Sequence, residues 1–284
     1  MRPHLRHSHG LSRARDEAAA VGRALAAFLC RSVATRLSYR VQLVLGLARS
    51  VLSIALIALV GKVVACAGGG FEARYGMGYT EFALLGLAAH GAAAAGLGAF
   101  RSAVRREQLQ GTLEQLLAAH GPPTRLVLLS GVWDVLGACV GGAAFVALAS
   151  WRGGLRMEMS AAVGAAAGLY VIAMCGLGLA SAGVVLVTKE GEPVSWALGM
   201  LSLVAGGVYY PVDLLPSWAQ PVSLALPTTH VLAVMRGTAS TGASTTRASL
   251  AFLGVAAAAA CILGAAALRW GIGRARGLGT LGEY

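Results

Sequence analysis

Charge is what this chain lacks most. Only 12% of its 284 residues are Asp, Glu, Lys or Arg, about half the share of an ordinary soluble domain, and lysine occurs just twice, as Lys62 and Lys189. That excludes a typical soluble globular fold. Cysteine is sparse as well: Cys30, Cys66, Cys139, Cys175 and Cys261 form no CxxC and no even-numbered framework. They read as small apolar packing residues, with no disulfide scaffold or metal site implied. Neither lysine follows a GxxxxG loop, so no phosphate-cradling motif is present and ATP hydrolysis is not expected in this chain. HExxH, GxSxG and paired intramembrane Asp motifs are missing, which argues against a membrane protease, esterase or aspartyl enzyme. The Arg-rich first forty residues contain no short apolar core with a small-residue cleavage site, so no signal peptide is expected.

What the chain has is apolar length. Hydrophobic residues make up 57% of it, in runs near the ~20 residues that cross ~30 Å of hydrocarbon as a helix. Six spans are expected, Leu43–Val64, Phe82–Phe100, Leu126–Trp151, Ser160–Val187, Val194–Tyr210 and Leu250–Trp270, giving an all-α membrane protein. An even number of crossings puts both termini on one side. Sixteen basic residues then share that side, between Arg2 and Arg40, between Arg101 and Arg125, at Lys189, and at Arg269, Arg274 and Arg276. Only Arg74, Arg152, Arg156, Arg236 and Arg247 face the other. Positive charge accumulates on cytoplasmic loops, so both termini are expected in the cytoplasm. The net charge of +11 is thereby explained by membrane insertion, and no nucleic-acid partner is needed.

Residues 1–20 read as a disordered basic tail, in which His4, His7 and His9 carry no expected metal. Between residues 21 and 40, Leu25, Phe28, Leu29, Val33 and Leu37 fall on one side of a helix and Arg23, Arg31, Arg36 and Arg40 on the other. This suits a helix lying in the headgroup plane, a solvated juxtamembrane helix being the alternative. Residues 21–270 are expected to form a single transmembrane domain, and 271–284 a basic cytoplasmic tail.

Two segments between spans carry pattern. A short helix is expected over 104–119, stopped by Gly121, Pro122 and Pro123; Leu109, Leu113, Leu116 and Leu117 share one face, and Glu107, Gln110, Gly111 and Glu114 line another. From 208 to 230 the chain is apolar yet contains Pro211, Pro216, Pro221 and Pro227, half of its eight prolines. Interior prolines break a continuous crossing, so a re-entrant pair of half-helices is expected, with Tyr209, Tyr210 and Trp218 at the aromatic belt. A plain proline-rich loop is the alternative.

These segments resemble type-2 ATP-binding-cassette (ABC) transporter permeases. Arg106-Glu107, then Gly111-Thr112-Leu113-Glu114, Leu117 and Pro122, is similar to that family's cytoplasmic loop. Tyr210-Pro211, Leu215-Pro216, Trp218, Pro227-Thr228 and Arg236 resemble its outer hairpin, and Arg274-Ala275-Arg276-Gly277 with Leu278 its basic ending. The family's single Pro is His120-Gly121-Pro122-Pro123 here, which blurs where the third span begins. The resemblance implies that 104–119 is the coupling helix pushed by a separate ABC ATPase subunit, with ATP and Mg held on that partner. It also implies that 208–230 helps close the outer end of the path, and that a second permease copy or paralogue pairs with this chain. The expected function is ATP-driven export of a hydrophobic, amphipathic, lipid-linked or drug-like compound across a bacterial cell membrane. The alternative is a secondary transporter or channel independent of ATP, although no inverted repeat or chain of intramembrane carboxylates favours it.

Ionisable residues inside the spans are costly unless placed well. Arg49 and Lys62 sit near opposite ends of the first span and are expected to snorkel. His90 is expected to hydrogen-bond between helices, and Asp134 to pair with Arg125 or Arg101. Gly137/Gly141 and Gly164/Gly168 are GxxxG pairs, but with 39 glycines about five arise by chance, so they carry little weight.

Overall fold

The computed structural model describes residues 40–68, 70–109, 123–153, 160–188, 193–237 and 243–277. The expected interfacial helix before Arg40, the His-bearing tail, and residues 110–122 of the expected coupling loop lie outside the described residues. The described elements are helices: α1 (Arg40–Cys66), α2 (Gly70–Tyr75), α3 (Tyr79–Leu109), α4 (Pro123–Gly153), α5 (Ala161–Thr188), α6 (Pro193–Val204), a 3-10 turn (Val212–Leu214), α7 (Gln220–Leu224), α8 (Pro227–Arg236) and α9 (Ala243–Gly277). The chain divides into two units at Gly46; of the first, residues 40–46 are described and form the opening of α1. All that follows concerns residues 47–284.

Proline and serine set several of these boundaries. Pro123, Pro193 and Pro227 each open a helix, where a missing N–H costs nothing and φ is already right. Ser160 caps α5, its Oγ accepting the Val163 N–H at 3.3 Å. Five helices are long and apolar enough to cross a bilayer: Val44–Cys66, Tyr79–Arg106, Asp134–Trp151, Ala161–Thr188 and Ser244–Ala275. The segment expected as a further span, Val194–Tyr210, is helical only through Val204, and α6 with its 12 residues is ~18 Å long. It stops where Gly206 and Gly207 turn the chain, Gly207 at φ +74°, a conformation that a side chain would strain. At the other end α9 extends past the expected boundary at Trp270, carrying the helix to Gly277.

Helix packing rests on glycine. A Cβ on Gly176 would lie 2.5 Å from the Ala260 carbonyl carbon, and one on Gly183, Gly264 or Gly271 would overlap the carbonyl oxygen of Ala267, Gly176 or Gly183 respectively. Both helices use glycines seven residues apart, and the order of contacts shows that α5 and α9 run parallel. Alpha3 joins the same layer: Gly178 meets the backbone of Gly96 and Leu97, while Ala89 and Ala93 pack toward Tyr170, and Val104 toward Leu186. It too is parallel to α5. The GxxxG glycines Gly141, Gly164 and Gly168 have open space around them.

Of the remaining long helices, α4 packs along α3 and α1 touches the bundle lightly. On α1 beyond Gly46, Ile54, Ile57 and Gly61 are the buried stripe, Gly61 against Thr80, while Leu52, Leu56, Leu59 and Val63 are exposed. Arg49 and Lys62 are exposed. On α4, Ala149 is buried beside Leu84 and Leu85, and Gly131 makes room for the Phe100 ring.

Candidate functional site

Between Ala205 and Gly237 the backbone leaves the helical ladder repeatedly, and each departure exposes carbonyl groups that need a donor. Side chains supply it. Tyr210 donates to the Val204 carbonyl, Ser223 to Ala205 at 2.5 Å, Gln220 Nε2 to Leu215 at 3.0 Å, Thr229 to Ser223 at 2.6 Å, and His230 Nε2 to Leu224 at 2.9 Å. His230 also stacks on Phe252 of α9, with ring centroids 3.9 Å apart. The four prolines fall at the ends of short elements: Pro211 before the 3-10 turn, Pro216 before the turn into α7, Pro221 in the first turn of α7 and Pro227 at the start of α8.

Arg236 holds this segment to the bundle. Its Nη1 donates to the Gly207 carbonyl at 2.7 Å, and its Nη2 to Phe82 at 2.9 Å and Val208 at 3.0 Å. The guanidinium carbon lies 3.4 Å from the centre of the Phe82 ring, an attraction between cation and π face. Among the described residues no carboxylate pairs with Arg236, so three carbonyl dipoles and the ring hold its charge. Gly86 makes the arrangement possible, since a Cβ there would overlap the Val208 oxygen and lie 2.7 Å from Arg236 Nη2.

A buried polar relay ties the same segment to α5 and α6. Thr228 donates to Ser202 Oγ at 3.1 Å, and Tyr170 Oη lies 3.0 Å from Thr228 Oγ1. Thr228 has one hydroxyl hydrogen and spends it on Ser202, so Tyr170 is the donor. Tyr170 and Thr228 are 1% and 0% exposed.

A third contact lies at the surface. Asp213, in the 3-10 turn, takes an ion pair from Arg74 at 2.9 Å and a hydrogen bond from Tyr75 at 2.9 Å, which fastens the turn to α2. Desolvation first, then the hydrogen bond and charge of Asp213, push the Tyr75 phenol above its ordinary pKa. The protonated phenol is the bonded form, so this contact persists through neutral pH and is lost only as pH rises past that elevated value. Phe71 packs edge-on to Tyr79 and Phe82, so the aromatic cluster behind Arg74 and Tyr75 is continuous with the ring under Arg236.

Of the sequence-derived hairpin residues, Arg236 ties the segment to α3, Tyr210 bonds the Val204 carbonyl, the Leu215 carbonyl accepts from Gln220, and Pro211, Pro216 and Pro227 stand at the ends of short elements. Tyr209 is partly exposed and Trp218 is 78% exposed. Phe82, Gly86, Tyr170, Ser202 and Asp213 were not expected there; their partners lie up to 154 residues away in sequence, and no local motif connects them. On the other end of α3, Arg106 donates to Asp134 at 2.6 Å; the side chain of Arg125, one of the two partners expected for Asp134, lies outside the described residues. The side chain of Glu107 is outside the described residues, as are Gly111, Thr112, Leu113, Glu114, Leu117 and Pro122. Where an interhelical hydrogen bond was expected, His90 Nδ1 is buried with no partner among the described residues, and Ala94, Leu97 and Gly98 follow it on its face of α3. No group of three metal-ligating side chains occurs among the described residues, and Cys66, Cys139, Cys175 and Cys261 are free thiols.

Five long apolar helices, packed on glycine and joined by an irregular segment whose carbonyls are satisfied internally, define a helical integral membrane protein. The family model for ABC-2 type transporters matches residues 24–239, which is more than half of the chain, and the protein belongs to that family. It is accordingly a membrane component of an ABC transporter. Comparison with curated proteins finds no match.

Proposed function

We propose that this chain is the permease subunit of an ATP-driven exporter whose nucleotide hydrolysis resides in separate ABC ATPase subunits, with ATP and Mg bound there. The chain itself carries out no chemistry. A second permease copy, identical or paralogous, completes the path. The observation that carries this reading is the family match, which includes both the loop after Arg106 and the segment ending at Arg236. In this reading the 104–119 stretch is the coupling helix, with Glu107 and Glu114 toward the ATPase, and the 208–230 stretch is a re-entrant hairpin at the outer gate.

Six crossings with both termini in the cytoplasm fit the packing. Because α5 and α9 are parallel, the chain between Thr188 and Ala243 has to return along the full length of the bundle. The short α6 and the segment after it make that return, as a sixth traverse. The 16 basic residues on the terminal side agree. Outward transport of an apolar or amphipathic compound is favoured because the loops on the other side are too short for a receptor to dock.

The test is co-purification. Glu114→Lys is expected to abolish recovery of the ATPase with the membrane subunit while insertion stays normal; undiminished recovery overturns the coupling role. Impermeant labelling of a cysteine introduced at Gln115 in a cysteine-free background is expected only after the membrane is opened. Transport in inverted vesicles with the ATPase co-expressed then identifies the compound.

A further inference from the structure

Helices α4 and α5 each pack on α3, yet among the described residues they scarcely touch each other. The gap between them is a cavity of about 480 Å3, inside the ~300–1,000 Å3 range of ligand pockets. Its floor is one face of α3, from Ala88 through Ala92 and Ala95 to Gly96, a stretch of ~12 Å. Gly142 on the α4 wall and Gly168 on the α5 wall both have open space around them. Val231 and Met235 of α8 close one end, and at the other Val135 packs on the cluster that contains Phe100. An occupant therefore touches α8, the helix that carries Thr228 and Arg236.

The lining narrows what fills this slot. No acidic, basic or histidine side chain occurs among the described residues that line it. Tyr170 does line it, but its hydroxyl hydrogen goes to Thr228, which leaves the Cys139 thiol as the other polar group there. An ionised ligand meets nothing to compensate its charge. Apolarity alone does not select an occupant either, because lipid tails are as apolar as these walls and a compound gains little by exchanging one for the other. Affinity has to come from contact, and from entropy that is not lost. A flexible chain gives up rotational freedom when confined, and a rigid body does not. The alanines and glycines of the walls have no rotamers to lose, and they present short, smooth surfaces against which a flat ring system makes the most dispersion contacts.

We propose that this slot binds an uncharged, rigid polycyclic compound drawn from the bilayer, and that the bound compound braces α8. The site is defined by binding alone and does not rest on the export reading.

The probe is pyrene, added to the full chain in phosphatidylcholine nanodiscs, with energy transfer from the chain's tryptophans as the signal. Pyrene dissolved in lipid gives transfer that rises without saturating; a saturable component on top of it is expected for wild type. Gly168→Leu fills the slot from the α5 wall and is expected to abolish that component, whereas Gly164→Leu, one turn away in open space outside the lining, retains it. Gly142→Leu, from the facing wall, serves in place of Gly168→Leu if that variant does not fold. Competition then tests the chemistry. Androstane is expected to displace pyrene about tenfold or more better than n-nonadecane, which has as many carbons but is flexible, and better by a similar factor than androstane carboxylate. Amide exchange over residues 227–236 is expected to slow when androstane saturates wild type and not when it is added to Gly168→Leu. A signal that never saturates in wild type, or that saturates equally in Gly168→Leu and Gly142→Leu, overturns the proposal. So does displacement by nonadecane as good as by androstane, which would make lipid acyl chains the occupant, or by the carboxylate as good as by the uncharged compound. Unchanged exchange in saturated wild type overturns the bracing of α8. None of these readouts needs the ATPase, so failure here is separable from failure of the transport reading.

Discussion

Along the α5–α9 seam two backbones touch because Gly176, Gly183, Gly264 and Gly271 present no side chain; between Ala205 and Gly237 the backbone is held off the helical pattern by Ser223, Tyr210, Gln220 and Arg236. Both regions answer the same constraint. In hydrocarbon, helices gain little by burying apolar surface against one another, so close van der Waals contact between small residues has to hold them. An irregular segment has no ladder to satisfy its carbonyls, so polar side chains have to do so. The seam depends on shape and the hairpin on donors. The first is broken by added volume, the second by loss of a donor.

This contrast can be broken, beginning where the effect is largest. Gly183→Leu forces a side chain into the Ala267 carbonyl and is expected to destabilise the detergent-solubilised chain by about 3 kcal/mol in SDS unfolding, whereas Gly168→Leu, in open space, changes little. Equal effects at the two glycines would remove the distinction between the seam and an ordinary lipid-facing surface. Arg236→Gln strips charged donors from Gly207, Phe82 and Val208 and is expected to cost about 2 kcal/mol, with Gly86→Ala less than additive on top of it because both disturb one contact. Full additivity in that double-mutant cycle would mean that the two residues act separately. Tyr170→Phe removes a single buried hydroxyl from Thr228, for about 1 kcal/mol. Smallest is Asp213→Asn: the exposed contact with Arg74 is worth under about 1 kcal/mol to stability, so any larger change in transport by this variant would be a gating effect.

How legible these regions were depends on the range of the interactions that make them. The apolar runs forecast α1, α3, α4, α5 and α9 because a span is a local property of some twenty residues. The prolines forecast the broken segment, and the family resemblance drew attention to Arg236. That Arg236 lies on the Phe82 ring, with its Nη2 on the Phe82 carbonyl 154 residues away, was invisible, because nothing near either residue in sequence encodes the other. The GxxxG pairs were given little weight, and the structure agrees. GxxxG spacing is the familiar signature, yet Gly164 and Gly168 face open space while the working glycines are seven apart, a spacing that disappears among 39 glycines until a partner helix is known.

Composition and apolar length by themselves determined that this chain is helical and lives in a bilayer, since partition into hydrocarbon is decided segment by segment and an unpaired backbone there has to coil into helix. Direction was beyond them, because a run of apolar residues reads the same from either end. Only the tertiary structure, by setting Gly176 and Gly183 against Gly264 and Gly271 in the same order, decided that α5 and α9 run together.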